Sequence, residues 1–168
     1  MEEKAMIGRA RPELFNSPLE TGVRSVVLLN TAYPRAFDLK ELTWLDHLVV
    51  HTGDIAGPES LHPNVPHRDG ELLVRRSLVE QGVTLMRRLH MIEAKYEACG
   101  IVYAALNQAA PFVKLIRTEY GRALKARAEW LNNYLSERGE DHLHEVITQK
   151  IGRWAVEFQN ELKPGGGA

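Results

Sequence analysis

Two helix starts on either side of a proline break constrain this chain more than any other feature. Ser17-Pro18 opens the first helix. The serine hydroxyl can accept from amides that have no partner of their own, and proline suits the first helical position. Glu20 stands three residues on, where a reciprocal cap places its carboxylate. Leu19, Val23, Val26, Val27 and Asn30 then share one face, which predicts a helix to about Tyr33. Pro34 stops it, because the residue before a proline avoids helical geometry. Asp38 and Glu41 repeat the cap. Leu39, Leu42, Leu45, Leu48 and Val49 make the buried stripe of this second helix, which ends at Gly53.

From Asp54 to Asp69 the composition turns to Gly, His and Asp, with Pro58, Pro63 and Pro66. That predicts an ordered surface loop, long enough to carry function. A third helix is expected from Asp69 or Gly70 to about Leu89. Val74, Leu78, Gly82, Leu85 and Leu89 form its expected inner face. Arg75, Arg76, Ser77, Glu80, Gln81, Thr84, Arg87 and Arg88 form the outer one. The period then changes. Met91–Tyr96 and Ile101–Ala105, joined through Ala98-Cys99-Gly100, read as a hairpin. Three helices and a hairpin, in that order, match a winged helix-turn-helix.

Three further helical segments follow. Gln108–Ile116 is short. Glu119–Ser136 carries Leu124, Ala128, Leu131 and Leu135, and Asp141–Leu162 carries Leu143, Ile147, Ile151, Trp154, Phe158 and Leu162. Such stripes need a partner surface. Left uncovered within the chain, they predict a homodimer through the C-terminal helices. The expected fold class is therefore mainly α: a flexible N-terminus (1–14), a winged-helix domain (15–106), a C-terminal helical extension (107–162) and a flexible tail (163–168).

Composition narrows the function classes. The chain holds 21 basic and 22 acidic residues, a net charge of −1, so any nucleic-acid contact must come from a local patch. The single cysteine, Cys99, excludes an internal disulfide framework and an all-cysteine metal cage. No basic segment followed by an apolar run marks a signal peptide at Met1-Glu2-Glu3-Lys4, and no apolar run is long enough to span a bilayer. The expectation is a cytoplasmic protein without a membrane partner.

The densest polar chemistry is Asp46, His47, His51, Asp54, His62, His67 and Asp69. His47 and His51 are four apart, a spacing at which two imidazoles share a helix face and could hold zinc. Leu48, Val49 and Val50 stand where a metalloprotease helix would carry its glutamate. The favoured reading is that these histidines cap and bridge the loop. A metal-dependent or enzymatic reading would rest on His47, His51 and His62. Cys99 sits at a hairpin turn, Ser60 lacks the glycine pattern of a hydrolase serine, and Gly53–Gly57 matches no phosphate or dinucleotide loop. No catalytic residue, metal site or cofactor is predicted, so the chain is expected not to be an enzyme.

Arginines offer a different use. Arg75, Arg76, Arg87 and Arg88 lie on the helix that enters a DNA groove in winged helices, where planar guanidiniums suit phosphate and guanine. Glu80 and the neutral chain weigh against this, and winged helices also serve as protein-contact modules. The candidate docking surface comprises Asp54, Glu59, His62, Arg68, Arg75, Arg76 and Trp130. The last lies off its helix stripe, as an interface anchor would.

Three blocks carry a family resemblance. They are Phe15-Asn16-Ser17-Pro18-Leu19-Glu20-Thr21-Gly22-Val23-Arg24, then Gly57-Pro58-Glu59-Ser60-Leu61-His62-Pro63, then Gly70-Glu71-Leu72-Leu73-Val74-Arg75-Arg76. Together with Tyr120-Gly121-Arg122-Ala123-Leu124, Ala128-Glu129-Trp130-Leu131 and Ile151-Gly152-Arg153-Trp154-Ala155-Val156-Glu157-Phe158, the chain resembles the middle component of ABC-three-component prokaryotic conflict systems. The resemblance implies a non-enzymatic adaptor that links an SMC-like ABC ATPase to an effector, often a nuclease. Lamassu-type anti-phage defence is the related example. It implies a winged-helix-containing α fold and supplies no catalytic residue. The alternative is a stand-alone winged-helix DNA-binding regulator that contacts the DNA backbone.

Overall fold

The computed structural model describes residues 17–63, 68–139 and 141–150, with backbone alone at 68–70. Expectations for residues 1–16, for His67, for the side chains of Arg68 and Asp69, and for Ile151, Trp154, Phe158, Leu162 and the tail lie outside the described residues. Helix α1 spans Pro18–Thr31 and helix α2 spans Leu39–Val50. Both start on the expected reciprocal caps. Glu20 N donates to Ser17 Oγ at 3.2 Å and Ser17 N to Glu20 Oε2 at 3.2 Å. Glu41 N donates to Asp38 Oδ1 at 2.7 Å and Asp38 N to Glu41 Oε2 at 3.0 Å. Each box satisfies amides that a helix start leaves without intrahelical partners.

A short strand β1, Phe37–Asp38, precedes α2, and a 3-10 turn, Thr52–Ile55, follows it. Helix α3 runs over Arg68–Arg88. Strands β2 (Ile92–Glu97) and β3 (Gly100–Ala105) form the hairpin. Helices α4 (Ala109–Leu115), α5 (Glu119–Arg138) and α6 (142–150) complete the described chain. β2 and β3 pair antiparallel from Ile92↔Ala105 to Glu97↔Gly100, with Ala98-Cys99 as the turn. β1 adds on the other side of β3 through Phe37↔Tyr103 and Asp38↔Val102, giving the order β1-β3-β2. Two residues are too few to show an alternating pattern, which is why β1 has no sequence signal. The result is a mainly-α, winged-helix-like fold with a small antiparallel sheet.

Val26, Val27, Leu29, Leu42, Leu48, Val79, Val83, Met86, Leu124, Leu131 and Ile147 lie in one continuous core cluster. The stripe of α5, namely Leu124, Ala128, Leu131 and Leu135, is therefore covered within the chain. Helices α1 and α3 touch backbone to backbone at Gly22 and Gly82. A Cβ on Gly82 would stand 2.6 Å from Gly22 N and 2.7 Å from Pro18 O. No helix among the described residues is long and apolar enough to cross a membrane.

Helix α3 corrects one expectation. Its buried side is Arg75, Val79, Gly82, Val83 and Met86, while Val74 is 64% and Leu89 49% exposed. The periodicity was right and its phase was rotated by one residue. The rotation brings in an arginine that carries its own counter-charges, which a pattern of apolar residues cannot register.

Candidate functional site

Asp46 points inward from α2, and two guanidiniums close on it. From α1, Arg24 Nε donates to Asp46 Oδ1 at 2.7 Å and Arg24 Nη2 to Oδ2 at 3.2 Å, the fork geometry in which arginine grips a carboxylate. From α3, Arg75 Nη1 donates to Asp46 Oδ2 at 2.5 Å, while Arg75 Nη2 donates to Glu71 Oε1. Three helices thus meet on one carboxylate. Asp46 is fully buried and Arg24 is 2% exposed. Burial penalises the charge of Asp46, but Arg24 and Arg75 outweigh it and hold its pKa below the usual carboxylate range. Burial likewise opposes the charge on Arg24, and Asp46 overcomes it, so Arg24 stays cationic with a raised pKa.

A histidine layer lies beside this ion cluster. His47 and His51 lie one turn apart at the end of α2, with ring centroids 4.6 Å apart and planes tilted by 33°. His47 Nε2 meets Asp54 Oδ2 at 3.1 Å, and Glu71 reaches toward both rings from α3. His62 Nε2 meets the Tyr120 hydroxyl of α5 at 2.8 Å. Burial, then the nearby charge of His47 and Arg75, depresses His51 to about 3. Burial, then Arg24 and Arg75, depresses His62 to about 4. Both imidazoles are therefore neutral at ordinary pH, and a neutral His62 can accept the Tyr120 proton through Nε2. Burial raises Tyr120, and Arg24 opposes that rise.

The loop after α2 is built as struts. Thr52 Oγ1 donates to Pro58 O at 2.7 Å and Gly53 N to Ser60 Oγ at 3.0 Å. Leu61 N and His62 N both donate to Val50 O, at 3.0 and 3.1 Å. Ala56 takes a left-handed φ of 55°, and Gly57 sits directly under Trp130, where a Cβ would lie 2.4 Å from the indole. Arg127 Nε donates to Glu59 O at 3.0 Å, tying the loop to α5.

The candidate docking residues therefore divide. Glu59 and Arg76 are exposed. Arg75, expected at the surface for both docking and nucleic-acid contact, is 4% exposed and engaged by Asp46 and Glu71, and so belongs to the interior. His62 and the Asp54 carboxylate are also buried, because the loop folds them back toward Tyr120 and His47. Trp130 is half-buried, stacked on Tyr134 and covering Gly57. Arg76, Arg87 and Arg88 remain on the outer face of α3, with Glu80 between them. Large apolar groups are exposed as well: Leu73 and Val74 on α3, the latter expected on its inner face, and Tyr96 and Ile101 on the hairpin. Asp46 was named in the polar cluster, but its pairing with Arg24 and Arg75, and the part of Glu71, were not foreseen. Their one signal was position, since Asp46 lies between Leu42 and Val49, and Arg75 precedes Val79, Val83 and Met86, at stripe spacing.

The model of one family, ABC-three component (ABC-3C) system Middle Component 2, matches residues 14–157. Comparison with curated proteins and with solved structures found no match.

Proposed function

The chain belongs to the ABC-three component system Middle Component 2 family, and from that membership we propose that it is a non-enzymatic adaptor. In this reading it docks on an SMC-like ABC ATPase subunit and positions an effector, often a nuclease, in prokaryotic anti-phage defence inside the cytoplasm. The observation that carries the reading is the set of large apolar groups left in solvent, Leu73 (76% exposed) and Val74 on α3 and Tyr96 (82% exposed) on the hairpin, with the charged Arg76, Glu80, Arg87 and Arg88 also exposed along α3. Large exposed apolar groups rimmed by charge mark protein-contact surfaces. A phosphate-tracking face would instead favour uninterrupted positive charge.

Co-expression with the ABC ATPase subunit of its system, followed by size-exclusion chromatography with and without ATP and DNA, tests the reading. The full-length chain is expected to co-elute, and Leu73→Asp with Tyr96→Asp to abolish co-elution without unfolding. Absence of co-elution under every condition overturns it.

The three exposed arginines of α3 favour a second reading, a winged-helix DNA-binding regulator. It requires duplex affinity that falls steeply with salt and drops on Arg76→Ala and Arg87→Ala. A salt slope near zero sinks it.

A further inference from the structure

His47, His51 and Glu71 converge more closely than a loop strut needs. A ligand atom from each lies within 4.8 Å of the others. His51 is 2% exposed, and its Nε2 has no hydrogen-bond partner. That nitrogen faces Glu71 Oε1 at 3.9 Å, and Glu71 Oε2 faces His47 Nδ1 at 3.8 Å. These separations are too long for hydrogen bonds. They are close to the spacing of donors that share an ion: two ligands each about 2.0–2.1 Å from zinc stand roughly 3.3 Å apart in a tetrahedral site.

We propose that His47, His51 and Glu71 bind one divalent transition-metal ion of the zinc class, clamping α2 to α3, with water as the fourth ligand. Two imidazoles and one carboxylate select that class over magnesium or calcium, which prefer all-oxygen sites. The outer contacts suit the role. Asp54 on His47 Nε2 directs Nδ1 at the ion, the carboxylate–histidine–metal arrangement that orients a ligand. Arg75 holds Glu71 Oε1, and Oε2, which has no hydrogen-bond partner, is the oxygen offered to the ion. The hollow lined by Gly53, Asp54, Ser60, Leu61 and His62 borders the cluster through Asp54 and offers an approach.

The test uses the full chain without a histidine tag, stripped by chelator and titrated with zinc chloride by calorimetry, with cobalt as a spectroscopic probe. The expected result is one equivalent per chain, a visible cobalt spectrum of nitrogen and oxygen ligation, and a raised Tm. His51→Gln and Glu71→Gln should each weaken binding at least about tenfold, and Asp54→Asn about 10–100-fold. His142→Ala with His144→Ala should leave it unchanged. Where Glu71→Gln fails to fold because Arg75 loses its partner, His51→Gln provides the decisive reading. The proposal is overturned by no binding at micromolar zinc. It is also overturned by full affinity in folded His51→Gln, or by loss in the His142/His144 variant.

Discussion

The two ends of α3 use the same side of one helix in opposite ways. Toward its C-terminal end the helix buries Val79, Val83 and Met86 in the shared core. Toward its N-terminal end it buries Arg75 and directs Glu71 at a carboxylate and histidine cluster. Apolar packing is graded: each methylene contributes its share, and neighbours relax around a loss. The ionic end is conditional. Two guanidiniums and their carboxylates are tolerable in the interior only while every charge is met. The contrast assigns different jobs to the two ends. The apolar end supplies stability, and the ionic end sets how α1, α2 and α3 are registered.

The sharpest way to break this contrast is Asp46→Ala, which leaves Arg24 and Arg75 buried without their shared carboxylate. A loss of about 3–5 kcal/mol is expected in urea unfolding, because a single stranded buried charge costs more than the intact pair returns. Replacing Arg24, Asp46 and Arg75 together by apolar residues of similar volume, with Glu71→Gln so that no carboxylate is stranded, should recover much of it. Failure to recover would show that the ionic end contributes stability in its own right. Met86→Ala, at the other end, should cost about 2–4 kcal/mol by leaving a cavity, read by the same unfolding curves. Between the ends, Gly82→Ala forces the α1 and α3 backbones apart at a contact with no side chain to move aside. About 1–3 kcal/mol should be lost, as a lower thermal midpoint. The smallest effect belongs to the outer face: Arg87→Ala should change stability by no more than about 0.5 kcal/mol, with any consequence confined to partner or DNA binding.

Much of the fold was legible because its signals are local. The caps Ser17–Glu20 and Asp38–Glu41, the break at Pro34 and the hairpin around Ala98-Cys99 each depend on residues a few positions apart, and all stand where the pattern placed them. The inner face of α3 was less legible. Val74 and Leu89 look apolar and proved exposed, while Arg75 looks polar and proved buried. The candidate surface was legible only in part, since Asp54, His62 and Arg75 fold inward, whereas Glu59 and Arg76 face solvent.

Sequence alone determined where helices start and stop, where the chain reverses, and which family blocks it carries, since short-range hydrogen bonding and steric limits decide those. Only the tertiary structure decided that Arg24 and Arg75, on α1 and α3, share Asp46, and that His62 meets Tyr120 on α5. It alone decided that Gly22 lies against Gly82. The physical reason is that burying a charge or omitting a side chain is favourable only opposite a specific partner. That partner is set by helix packing over distances that no local pattern records.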